Sequence, residues 1–473
     1  MSASCVLGCR PLSMIQQTRV HDNLPGGRFI LPLAALSAAL YLVLALSGDL
    51  REQLPLYLAV CGLLSLMMWA AVRLCRGRPR TLFYLLLIAA LFRLISAAAP
   101  PTLSDDIYRY VWDGRVQAAG HHPYSYAPTD ARLAPLRDEN WERINHPEVK
   151  TIYPPLAQML FGLLGWMGFG PFGFKLVMAL ADMAVVAALV QLLKRLQLPP
   201  ERVLWYAWNP LAVLESAGSG HLEPIGVALL VLGTTALAAG WGRRGALWFA
   251  AAIQIKLLPL ALLLTPLRRW RWKTTLLFVV VLVALTLPYA LYGPALGSGL
   301  SDYAERWERN ATLYRAVEGS LELWDSGERL KRWVAAAQRT LPLDDSIWNW
   351  LYSHVWPREL ARLFIALFAG CWLLWLSIRS RRTPAREIFL ALAGLLLLMP
   401  TLHPWYLLWI LPFVALYASP GWLLLAALIP LSYIDVDGDV PWWARVVEFG
   451  LPLLLTLALI VRSRRARRAT MGA

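Results

Sequence analysis

Long apolar stretches recur along the chain at 29–47, 54–74, 81–99, 172–193, 221–240, 274–292, 359–378 and 444–462. Shorter or more broken ones fall at 203–217, 245–256, 257–267, 387–400, 404–418 and 422–436. A helix crosses a bilayer core with roughly 20 predominantly apolar residues, so the pattern predicts an all-α polytopic membrane protein of about 12–14 membrane segments. Two long stretches between spans, 100–171 and 293–358, read as sizeable loops on one side of the membrane. Residues 1–28 read as a cytoplasmic tail without the apolar core of a signal peptide, 29–462 as one transmembrane domain, and 463–473 as a basic cytoplasmic tail.

Composition supports this reading. The chain is 58% hydrophobic and only 16% charged, too little charge for a soluble domain of its length. Its 23 tryptophans suit many lipid–water boundaries. The net charge of +15 does not indicate a nucleic-acid partner, because the basic residues sit in short clusters between apolar stretches. Six such clusters, at 73–80, 194–202, 243–244, 268–273, 379–386 and 462–468, hold 22 of the 45 Lys and Arg. They share one side under two conditions. Residues 154–170 must lie in the membrane plane, and 245–267 must form two half-spans with a turn near Lys256. Pro259 and a lysine in mid-run favour that break. The positive-inside rule then puts both termini and the clusters in the cytoplasm and both large loops outside. Six of the seven histidines, all but His21, fall on the outer side.

The five cysteines show no zinc-site or disulfide spacing, and no metal site is expected. No Gly-rich phosphate loop and no internal repeat of the transporter kind is present.

Candidate chemistry gathers at the outer face. Ser104-Asp105-Asp106 opens the first loop, followed by Tyr108, Arg109 and Trp112. A carboxylate here is positioned to take a proton from an attacking hydroxyl; it equally suits the cap of a helix starting near Asp106. Tyr153-Pro154-Pro155-Leu156 offers an aromatic ring for a sugar face, and His146 a ligand for an anion. Glu215 lies within an apolar stretch, where a carboxylate is costly and therefore a functional candidate. His221 and Glu223 follow two glycines at an outer turn. Lys256 in a broken helix suits a phosphate, or snorkels to water. Tyr303, Arg306, Trp307 and Asn310 share a helical face and suggest an interfacial helix. His403-Pro404-Trp405-Tyr406 forms a rigid turn carrying an imidazole.

In this order the motifs resemble the GT-C superfamily of integral-membrane glycosyltransferases, in particular bacterial mannosyltransferases that use a polyprenyl-phosphate mannose. The likeness covers about residues 81–420. It rests on the acidic pair Asp105-Asp106, on Tyr153-Pro154-Pro155-Leu156, on Asn209-Pro210-Leu211 with Gly220-His221-Leu222-Glu223, on Lys256 with Pro259, and on His403-Pro404-Trp405-Tyr406. Here three spans precede the acidic loop where many relatives have one, and Glu223 stands where Asp is common.

The resemblance implies a bacterial inner-membrane enzyme whose active site faces the periplasm. It would move a sugar, mannose or another hexose or pentose, from a polyprenyl-phosphate donor to a lipid or glycan acceptor. The transfer would invert the anomeric centre and need no metal or other cofactor. Asp105 would be the base, by likeness to the superfamily's leading Asp, with Asp106 orienting it or holding the acceptor. Lys256, His403 and His146 would bind the donor phosphate. Tyr108, Arg109, Tyr153, His221, Glu223, Tyr303 and Trp405 would contact sugar or acceptor. Membrane lipids are the remaining expected partner. A flippase for a lipid-linked saccharide, or a ligase using a polyprenyl diphosphate glycan, would share the spans, aromatics and cations; the flippase would not need the acidic pair.

Overall fold

The structure, a computed structural model, describes residues 29–291, 299, 308–378, 382–436 and 438–471. His21, Tyr303, Arg306 and Trp307 lie outside the described residues. Among the described residues the secondary structure is helical, with isolated bridges at Arg309–Thr401 and Val436–Asp439 and no strand. Asn310 has a left-handed backbone, φ 52°, so the expected interfacial helix does not extend to it.

The first helices are α1 (Ile30–Leu46), α2 (Leu54–Cys75) and α3 (Pro79–Ala98). Proline in the first turn starts α2 and α3, where its missing N–H has no partner to lose. The first large loop contains α4 (Asp106–Ala118) and leads into α5 (Pro155–Trp166) and α6 (Pro171–Arg195). There follow α7 (Glu223–Ala238), α8 (Gly242–Ile255) and α9 (Trp272–Ala290). The second large loop carries α10 (Leu313–Leu323), α11 (Ser326–Gln338) and α12 (Asp345–His354). The chain ends with α13 (Pro357–Ile378), α14 (Pro384–Leu398), α15 (Leu411–Tyr417), α16 (Pro420–Leu428) and α17 (Leu451–Met471).

Among the described residues, six helices are long and apolar enough to cross a membrane: α2, α3, α6, α9, α13 and the stretch Trp442–Ser463. The other apolar stretches are shorter or broken. Residues 204–218 split at Asn209-Pro210 and end in a π-helical turn, Leu214–Gly218. The 245–267 stretch breaks at Lys256 into α8 and a 3-10 turn, Leu258–Leu262. On α9 only Phe278 and Tyr289 are buried, while Leu276, Val279, Val280, Val283 and Leu287 face outward. Such a face needs lipid to cover it.

Two polar devices hold the bundle. Inside the membrane, Arg93 of α3 donates from Nε to Asp182 of α6 at 2.6 Å, and its NH1 reaches the carbonyls of Ala89 and Ala207 at 2.9 Å. Tyr206 donates to the same Asp182. Within the first large loop, Asp113 accepts from Arg109 Nε at 2.9 Å, Thr151 Oγ1 at 2.6 Å and Gln158 Nε2 at 2.7 Å, tying α4 to the start of α5.

Helices α4 and α5 meet through glycine. A Cβ on Gly165 would lie 2.3 Å from the carbonyl of Gly114, so neither position admits a side chain without parting the helices. Gly165→Val should destabilise the protein by about 1–3 kcal/mol or more, the usual range for overpacking. The check is a fall in Tm in detergent, with Gly62→Ala, where a Cβ meets open space, as an unaffected control.

Candidate functional site

The acidic pair sits where α3 cannot continue. Pro100-Pro101 ends the helical run, and α4 begins at Asp106. The cap is supplied by Ser104, whose Oγ accepts from the Asp106 N–H at 3.3 Å. Asp105 makes no cap hydrogen bond. Its carboxylate takes Arg51 NH2 at 2.8 Å instead. Arg51 belongs to the α1–α2 turn, which is itself tied to the first large loop by Leu50 N–H donating to Thr102 Oγ1 at 3.2 Å. Asp106 has different neighbours. Its Oδ1 accepts from Asn145 Nδ2 at 3.0 Å, and its Oδ2 lies 3.7 Å from His221 Nδ1.

His221 arrives there through an irregular backbone. Asn209 Oδ1 accepts from Leu211 N–H at 3.0 Å and starts a short helix. The π turn then widens the coil, and the His221 N–H donates to the carbonyl of Glu215 at 3.1 Å. Gly220 has φ +78° and passes so close to α4 that a Cβ would lie 2.5 Å from Ile107 Cδ1. The result places His221 Nε2 3.4 Å from Glu215 Oε2, with both side chains fully buried. Glu215 Oε1 accepts from Tyr433 OH at 2.8 Å.

Lys256 leaves the end of α8 in an extended conformation, φ −155° and ψ 141°. Its ammonium pairs with the buried carboxylate of Glu223 and lies 4.3 Å from the Tyr406 ring centre. The neighbouring turn is pinned from outside. Arg309 N–H donates to Pro400 O at 3.2 Å, and Leu402 N–H donates to Arg309 O at 2.9 Å. Beyond this bridge, His403 stacks on Trp405 at 4.3 Å and 2°, and the Trp405 ring stacks on His221 at 4.0 Å and 19°. Enclosure in the turn pushes the His403 imidazole down to about 3, against the opposing pull of Asp106 and reinforced by Arg309 and Lys256.

These elements enclose a cavity of about 1120 Å³. Asp105, Asp106 and Arg51 line it together with Lys256, Arg309 and His403. His146, Arg109, Tyr153 and Trp405 also reach its wall. The His146 ring is exposed and 3.7 Å from Glu148. Arg109 is engaged with Asp113 and with the carbonyl of Val149, each at 2.9 Å. His221 and Glu223 are buried and do not line the cavity. Tyr108 is absent from the wall as well. It is buried, with the Arg143 guanidinium 4.3 Å from its ring centre.

Arg51, Arg309, Asn145 and Tyr433 were not singled out by sequence reasoning, and Glu215 was noted without partners. A signal existed for two of them. Arg51 and Arg309 are basic residues on the side that the clustering of Lys and Arg leaves as the outer one. Among the described residues no group of three or more His, Cys, Asp or Glu is arranged to hold a metal ion.

A family described as alpha-(1->6)-mannopyranosyltransferase, N-terminal domain, matches residues 33–274. A second, described as MptB C-terminal domain, matches residues 357–434. The chain is 24% identical over 424 residues to a probable alpha-(1->6)-mannopyranosyltransferase of Mycolicibacterium smegmatis, covering 77% of this chain and 71% of the relative. It is 25% identical over 403 residues to an alpha-(1->6)-mannopyranosyltransferase of Mycobacterium tuberculosis, covering 70% of this chain and 65% of the relative. No solved structure matches.

Proposed function

We propose, from the premise that this chain belongs to the alpha-(1->6)-mannopyranosyltransferase family, that it transfers a mannosyl unit from a polyprenyl-phosphate donor to a lipid or glycan acceptor. In this reading the reaction takes place at the periplasmic face of a bacterial inner membrane and inverts the anomeric centre. The observation that carries it is the pairing, around one cavity, of two adjacent carboxylates with Lys256, Arg309 and His403. A carboxylate removes the acceptor's hydroxyl proton as the oxygen attacks C1. Lys256 and Arg309, with His403 donating a hydrogen bond, stabilise the charge that builds on the departing phosphate oxygen. One attack from the face opposite the phosphate inverts the centre, and no metal is required. A flippase would have no use for the acidic pair beside the phosphate-binding groups.

Incubating purified protein with a polyprenyl-phosphate mannose and a mannoside acceptor tests the proposal. Donor consumption matched by elongated acceptor is expected. An intact donor, with lipid movement across vesicles instead, would replace the transferase reading by the flippase.

Orientation has its own test. In a cysteine-free background, Ala131→Cys in the first outer loop should react with an impermeant maleimide added outside spheroplasts. Reaction only after permeabilisation would invert the topology.

A further inference from the structure

The proposed reaction leaves a buried group unexplained. His221 has no solvent exposure, and neither ring nitrogen makes a hydrogen bond. Yet a carboxylate faces each nitrogen, Asp106 Oδ2 3.7 Å from Nδ1 and Glu215 Oε2 3.4 Å from Nε2. Buried polar atoms take hydrogen-bond partners, and these two carboxylates are the ion-pairing groups in reach of the ring. The ring cannot drift, since Trp405 is stacked against it. Glu215 is also held, by Tyr433 on its other oxygen. Of the three groups Asp106, His221 and Glu215, only Asp106 lines the cavity. Asp105, by contrast, is taken up in an ion pair with Arg51 at 2.8 Å and faces no buried partner that could receive a proton.

We propose that Asp106 is the base of the transfer and that His221 and Glu215 are positioning residues that hold the proton it removes. This rests on the transferase reading. The acceptor O–H bond breaks as the acceptor oxygen bonds to C1 of the donor sugar. The C1–O bond to the phosphate breaks, and its electron pair leaves with the polyprenyl phosphate. The proton goes to Asp106 Oδ2 and passes to Nδ1 of His221. Nε2–H then donates to Glu215 Oε2, which balances the imidazolium charge. After product leaves, the proton returns through Asp106 to the solvent in the cavity. Gaps of 3.4 and 3.7 Å are of the kind that close to hydrogen bonds when substrate binds.

The test uses the full-length protein, a polyprenyl-phosphate mannose donor and a mannoside acceptor. His221→Asn keeps an amide nitrogen near the position of Nδ1 but cannot store a proton. It should lower kcat about a hundredfold, the lower end of what proton-transferring groups contribute, while donor Kd and Tm stay close to the parent. Glu215→Gln should behave alike, and Tyr433→Phe should show a smaller loss in the same direction. The inference is overturned if His221→Asn and Glu215→Gln turn over normally while Asp106→Asn is inactive. It is equally overturned if their losses appear wholly in donor Kd or Tm, which marks a packing role. Normal turnover by Asp106→Asn removes the base assignment itself. Absence of transfer by the parent protein removes the underlying reading instead.

Discussion

Asp106→Asn should reduce transfer by at least about a hundredfold at unchanged donor affinity, because general-base help typically supplies 10²–10⁴-fold. Asn keeps the size of the side chain and can still contact Asn145, but it takes no proton from a hydroxyl. Asp105→Asn should cost much less. Its loss is an ion pair in which Arg51 is 46% exposed and Asp105 25% exposed, and pairs this open contribute roughly 0–1 kcal/mol. The comparison decides between two readings. Resemblance alone favours Asp105; the partners of the two side chains favour Asp106. An inactive Asp105→Asn beside a working Asp106→Asn would restore the first. Normal turnover by both, at matched expression, would end the proposed mechanism.

The second large effect concerns Lys256. Its ammonium has Glu223 as partner, and the Glu223 side chain has no solvent exposure. Lys256→Met therefore strands a buried carboxylate. Removing one member of a buried pair typically costs about 3–5 kcal/mol, and the low end applies because the lysine is partly exposed. Adding Glu223→Gln should recover Tm, since the charge left behind is gone. It should not recover donor binding, because the phosphate still lacks its cation. If the double variant binds donor as the parent does, Lys256 serves only Glu223.

The fold was legible wherever a long apolar stretch met a proline or a basic cluster. The break at Lys256 followed from a lysine and a proline that cannot continue a helix in lipid, and α5 followed from Tyr153-Pro154-Pro155; the split at Asn209-Pro210, inside a stretch read as one segment, was not foreseen. The site was less legible, for a geometric reason. Asp105 and Asp106 are neighbours in sequence, and their difference lies in partners from remote segments, Arg51 on one side and Asn145 and His221 on the other. The π turn that brings Glu215 to His221 has no sequence signature beyond an acidic residue in apolar surroundings. The fall in His403's proton affinity depends on enclosure beside groups remote in sequence, Asp106, Lys256 and Arg309 among them, so the sequence marked the imidazole but not its surroundings.

The Arg93–Asp182 contact bears on how the protein is made. Arg93 enters the membrane 89 residues ahead of its partner, during synthesis that proceeds from the N-terminus. Until α6 is delivered, α3 must rest in lipid with an unmatched guanidinium, at a cost of roughly 2.5–3.5 kcal/mol on insertion scales. Its placement is therefore provisional, and the early helices lock only when Asp182 arrives. Biogenesis thus acquires a checkpoint: a nascent chain halted before α6 should be more open to extraction and degradation than one halted just after it.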